Sequence, residues 1–121
     1  MTHAQLKNHE GRFVSPDESS FKAAAAYARW DKAPGFYELL TDEPGMESWP
    51  ITGATFILMH KSQDKPDTAK EVLKFFDWSY NNGGKMAAEM DYVAMPDKVQ
   101  KLVRDAWKAN IKDNKGNSIW K

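Results

Sequence analysis

The feature that most constrains this chain is one apolar run, Phe56 to Met59, closing the segment ITGATFILMH. Ile51, Thr52, Thr55 and Ile57 are β-branched, and such side chains suit a pleated surface. A run without polar alternation predicts a strand buried on both faces, the kind found in parallel or mixed sheets flanked by helices. Elsewhere helix clearly outweighs strand, so the fold class expected is α/β and helix-rich.

The flanking segments carry their own punctuation. HAQLKNHEGRFV reads as two weak extended pieces around a turn at Glu10-Gly11. In SPDESSFKAAAAYARW, Ser15 can cap a helix, Pro16 suits its first position, and Glu18 stands where a capping box needs it. Phe21, Ala24, Ala25 and Ala28 then share one face, with the helix predicted to end near Trp30 to Lys32, before Pro34-Gly35. GFYELLTDEPGMESWP is broken by Pro34-Gly35, Pro44-Gly45 and Pro50 into short helical or extended pieces between turns. After the polar turn KSQDKPD, a helix is expected from about Asp67 to Asn81, with Ala69, Val72, Leu73, Phe76 and Tyr80 on one face, Asp64 or Asp67 at its start and Gly83-Gly84 at its end. KMAAEM adds a helical turn or two, and a last helix from about Pro96 to Ile111 buries Val99, Leu102, Val103, Ala106 and Trp107 before KDNKGNSIWK turns back.

At 121 residues and 41% hydrophobic, the chain suits one small core. Lys plus Arg balance Asp plus Glu at 17 each, so no basic field recruits nucleic acid or anionic lipid. Cysteine is absent, which removes disulfides, thiolate metal sites and a cysteine nucleophile. MTHAQLKNHEGRF lacks a basic region followed by an apolar one, and no segment approaches the length of a membrane span. The polypeptide as written is therefore expected to carry no export address and to stay in the cytoplasm.

Recognisable chemistry is sparse. His3, His9 and His60 lie too far apart in sequence to place two ligands on one helix face, so no metal site is expected. His60 reads as a strand-end residue meeting solvent; a catalytic role would need a carboxylate or substrate beside it. Asp42-Glu43, Glu47 and Glu89-Asp91 lie in turn-like contexts and read as solvated loops rather than an acid/base pair. No nucleophile elbow, phosphate-binding Gly-Lys-Ser/Thr loop or dinucleotide fingerprint occurs, so no enzyme activity and no cofactor is expected. Trp78 and Trp107 fall within amphipathic helices and read as packing residues, while Trp30, Trp49 and Trp120 stand at element ends, open to a partner surface. The first helical turns carry Asp17 and Glu18, then Asp67, then Asp97; these already complement the helix dipole and would repel an anion.

The order of segments is more telling than any one of them. QLKN, FVSPDESSFKAAAAYARWDKAPGFY, LTDEPGMESWPITGATFILMHK, EVLKFFDWSYNNGGKMAAEMDYVAMPD and VRDAWKANIKD together closely resemble the C-terminal part of the PstS family, the periplasmic phosphate-binding components of phosphate ABC transporters. The resemblance runs from about Gln5 to Asp113, with WPITGATFILMHK and EVLKFFDW its most specific segments. It implies an incomplete fragment of a type II periplasmic-binding-protein fold, in which two α/β lobes joined by crossing strands close over one phosphate. Residues 1–49 would end the second lobe, 50–55 would be the hinge crossing, and 56–121 would supply the strand and helices of the first lobe.

The family's phosphate ligands come from an N-terminal Gly-Ala-Thr-Phe-type loop, an acidic residue of the first lobe, and a central Arg with a Ser-Gly-Thr turn. All of these precede the matched part, so the GATF of Gly53 to Phe56 corresponds to the hinge and its following strand, and no ligand-binding, catalytic or metal residue is carried over. MTHAQ stands where the family continues a longer strand, which reads as a new start site. The resemblance implies inorganic phosphate and a membrane permease as partners of the whole protein, and the periplasm as its compartment. For this chain it leaves a cover to be found for exposed strand and helix faces: a complementary N-terminal portion, self-association, or a rearranged helical fold acting as an interaction module.

Overall fold

The computed structural model describes residues 2–121. The elements are β1 (Leu6–Lys7), β2 (Phe13–Val14), α1 (Glu18–Tyr27), a 3₁₀ turn (Pro34–Phe36), β3 (Ser62–Gln63), α2 (Pro66–Asn82), α3 (Gly84–Glu89), α4 (Asp97–Asn110) and β4 (Lys112–Asp113). Two compact units result: the stretch up to Thr55 together with Met95–Val99, and Phe56–Ala94 together with Gln100–Lys121.

In the first unit, β1 and β2 form the expected hairpin, antiparallel with Leu6 opposite Val14 and Lys7 opposite Phe13. Gly11 supplies the turn at φ 78°. The α1 cap differs from expectation. Asp17, not Ser15, is the cap, at φ −133° and ψ 172°; its carboxylate accepts from Ser20 N–H at 2.9 Å, and Ser20 Oγ accepts from Asp17 N–H at 3.1 Å. A carboxylate at this position adds a favourable dipole interaction to the capping bond, and Pro16 remains outside the helix. The helix also stops early, at Tyr27, because Ala28 turns out at ψ 146° and the indole N–H of buried Trp30 takes the Ala25 carbonyl at 2.7 Å.

Ala24 and Ala25 are buried on α1, as their spacing predicts, Ala28 is buried just past its end, and Phe21 meets the Trp49 ring edge-on at 6.2 Å. Val14, Trp30, Leu40, Trp49 and Val99 are the other buried apolar residues of this unit. Trp30 and Trp49, which the sequence leaves open to a partner surface, are therefore core residues at 3% and 7% exposure. Their rings offer too much apolar area for a small unit rich in alanine to leave in water.

In the second unit α2 starts with Pro66 at its first turn and ends where Gly83 N–H donates to the Ser79 carbonyl at 2.7 Å. Ala69 and Leu73 pack with Ile111 and Ile119, and Met59, Trp107 and Trp120 close around them. Asp77 of α2 accepts from Arg104 Nε of α4 at 2.6 Å, and the Arg104 guanidinium lies 5.5 Å from the Tyr80 ring centre. The tail turns back as anticipated: Ile119 N–H donates to the Ile111 carbonyl at 3.1 Å. It also places β4 parallel to β3, with Ser62 opposite Lys112 and Gln63 opposite Asp113. Trp78, expected to pack, is 51% exposed, because it lies off the Ala69–Leu73 face.

The Phe56–Met59 strand is corrected outright. No strand is formed there, and Ile57 and Leu58 are 62% and 93% exposed. Its sequence is suited to a ladder between two layers, but among the described residues no strand lies beside it.

Candidate functional site

Each residue that sequence reading singled out can now be placed. His3, His9 and His60 are all exposed and well separated in sequence, and among the described residues no group of three His, Cys, Asp or Glu side chains could hold a metal ion. His60 borders an open hollow of about 410 Å³ beside the start of α2, lined also by Met59, Ser62, Gln63, Asp64 and Lys65. Gln63 Nε2 donates to the His60 carbonyl at 2.6 Å, which shapes the loop without engaging the imidazole. The hollow collects both an acid and a base, and α2 opens on Asp67. The acidic first turns of α1 and α4, with Glu18 and Asp97, likewise place negative charge where an anion would sit.

The segment Gly53 to Phe56 has no regular structure, space is open around Gly53, and the chain passes from the first unit to the second between Thr55 and Phe56.

Among the carboxylates, Glu89 and Asp91 are exposed, as are Asp42 and Glu47. Glu43 is not: it is 8% exposed, and burial, with Glu38 adding repulsion and Arg29 opposing, pushes its carboxyl above the usual range. Reading it as a solvated loop residue is therefore corrected. Beside it, His9 Nδ1 lies 3.1 Å from Asp42 Oδ2, and this hydrogen bond raises the imidazole above its ordinary 6.5. Asn8, buried at the same hairpin tip, donates to the carbonyls of Gly45 and Met46 at 3.2 and 2.8 Å. Nothing in the sequence marks these groups as neighbours, because the contacts span more than thirty positions and follow no periodicity.

Trp120 is half-buried, edge-on to Trp107 at 5.4 Å, and Trp107 stacks on Tyr80 at 6.0 Å. Burial raises the Tyr80 hydroxyl above its ordinary value. These rings are packed on one another rather than displayed as a stacking platform. No helix among the described residues is long and apolar enough to cross a membrane.

No family model matches the chain. Comparison with curated proteins is informative. The chain is 44% identical over 117 residues to "Phosphate-binding protein PstS" of Pasteurella multocida, a match covering 97% of this chain and 34% of that protein. It is 46% identical over 107 residues to the protein of the same name from Haemophilus influenzae, covering 88% and 32%, and 38% identical over 112 residues to that of Xylella fastidiosa, covering 93% and 31%. The chain thus spans about a third of the length of the relatives it matches. A helix-rich chain with short two-stranded sheets is consistent with a fragment of the periplasmic-binding-protein fold. Over most of its length, then, the chain belongs with the PstS phosphate-binding proteins, as a C-terminal PstS-like part.

Proposed function

We propose that this chain is the scaffold-bearing C-terminal portion of a phosphate-binding protein of an ABC-type phosphate transport system, and that phosphate is held by residues outside it. The identity of 44% over 97% of the chain, against 34% coverage of the relative, carries the reading. Acidic first turns at α1, α2 and α4, and a hollow lined by both Asp64 and Lys65, support the absence of an anion site within these residues. In this reading 1–49 ends the second lobe, 50–55 crosses the hinge, and 56–121 completes the first lobe. The whole protein works in the periplasm, delivers inorganic phosphate to a membrane permease, and catalyses no reaction.

The unladdered, exposed Phe56–Met59 segment fits the same proposal, since a strand of this composition is completed by neighbouring strands from the rest of the protein. It also favours a second reading, in which the chain is a self-associating module that covers Ile57, Leu58, Phe75 and Trp78 with another copy. Mixing this chain with the unmatched portion of the Pasteurella multocida relative separates them. Appearance of phosphate binding in the mixture alone supports the first. A concentration-dependent oligomer of this chain, with no phosphate response in the mixture, supports the second.

A further inference from the structure

The tip of the β1–β2 hairpin grips one turn with three successive side chains. Asn8 donates to the Gly45 and Met46 carbonyls, Glu10 Oε1 accepts from Gly45 N–H at 3.3 Å, and between them His9 meets Asp42. The turn is itself fixed: Asp42 N–H donates to the Pro50 carbonyl at 2.9 Å, Thr41 bridges Ile51, and Asp42 is held at φ 55°. Of the three contacts, only the histidine's changes its charge state around neutral pH.

We propose that the hairpin tip and the Asp42–Met46 turn form a proton-tightened clasp, in which charging the His9 imidazole converts its hydrogen bond to the Asp42 carboxylate into an ion pair. The charged ring adds Coulomb attraction to a hydrogen bond that its neutral form already donates to the carboxylate. The neutral ring keeps the contact only in the tautomer that carries the proton on Nδ1.

The surrounding charges favour the same direction. Asp42 acts on His9 first by hydrogen bond and then by charge, and Glu10 adds to it, against a small desolvation cost. Of the cations beside it in sequence, Lys7 lies in β1 two residues before His9, and Arg12 is occupied elsewhere: its guanidinium lies 3.7 Å from Glu47 and 3.7 Å from Met46 Sδ. Inside the turn, Glu43 is raised by burial and by Glu38, with Arg29 opposing.

Both groups have folded-state pKa values above their unfolded ones. Each contribution is therefore fully present below the unfolded value and lost as pH rises through the folded one, from 4.5 upward for Glu43 and from 6.5 upward for His9. The clasp tightens on mild acidification, opposite to the usual acid weakening of carboxylate-paired folds. It stands on contacts within one unit and is independent of where phosphate binds.

Nuclear magnetic resonance of the full chain tests it, with His9 assigned by the signal missing from His9→Gln. The expected His9 midpoint lies above 6.5 and falls in Asp42→Asn, a change that the left-handed backbone at Asp42 tolerates. Amide protection of Asp42 and Gly45, corrected for intrinsic exchange, is expected to fall severalfold from about pH 6 to about pH 8, and to be insensitive to pH in His9→Gln. A midpoint at or below 6.5, protection that does not change with pH, or the same pH dependence in His9→Gln would each overturn the proposal.

Discussion

Gly45 shows how much a single position can decide. It sits at φ 111°, and a Cβ there would stand 2.6 Å from the Tyr27 ring and 2.7 Å from Ser48 Oγ. Gly45→Ala combines backbone strain with a clash and is predicted to cost about 2–3 kcal/mol in urea unfolding. At Asp17, hydrogen bonds from Ser19 and Ser20 hold the carboxyl below its usual 3.8. The folded value is depressed, so its stabilisation is present above the unfolded value and lost as pH falls through the folded one. Asp17→Asn, which keeps a capping oxygen but not the charge, is predicted to lose a few tenths of a kcal/mol at pH 7 and less as pH falls below the usual 3.8, read from urea midpoints. At this scale the sequence shows that a cap exists and misses which residue supplies it. Ser15 and Asp17 both suit the role, and the choice rests on Asp17 adopting the extended backbone from which its carboxylate reaches Ser20.

Helices were legible because each carries its own evidence. Gly83 marks the end of α2, and Ala69 and Leu73 mark its buried face, all within one segment. The two-residue strands β3 and β4 lack such marks. They pair across about fifty positions, are too short to show a period, and were read as turn and tail. Phe56–Met59 is the reverse case, since its composition predicts a buried strand, none forms, and no partner strand is written in the segment. Leu58→Lys tests this directly. At 93% exposure the substitution is predicted to change unfolding stability by less than about 0.5 kcal/mol and to reduce association in sedimentation. A stability loss above about 2 kcal/mol would instead mean that Leu58 is covered in solution.

For the molecule as a whole, motif order carried more information than any residue. No single pair of side chains in either unit identifies a function, yet the sequence of segments aligns the chain with about a third of the length of PstS phosphate-binding proteins. Of the residues around the candidate site, three acidic helix starts are visible in the sequence, whereas the burial of Glu43 depends on tertiary packing. The central claim is that this portion supplies scaffold while phosphate is held elsewhere. Equilibrium dialysis of the purified, phosphate-stripped chain against labelled phosphate, with sulfate as competitor, tests it most directly. The account predicts no saturable uptake at micromolar phosphate; tight, sulfate-resistant binding by these 121 residues alone would contradict it.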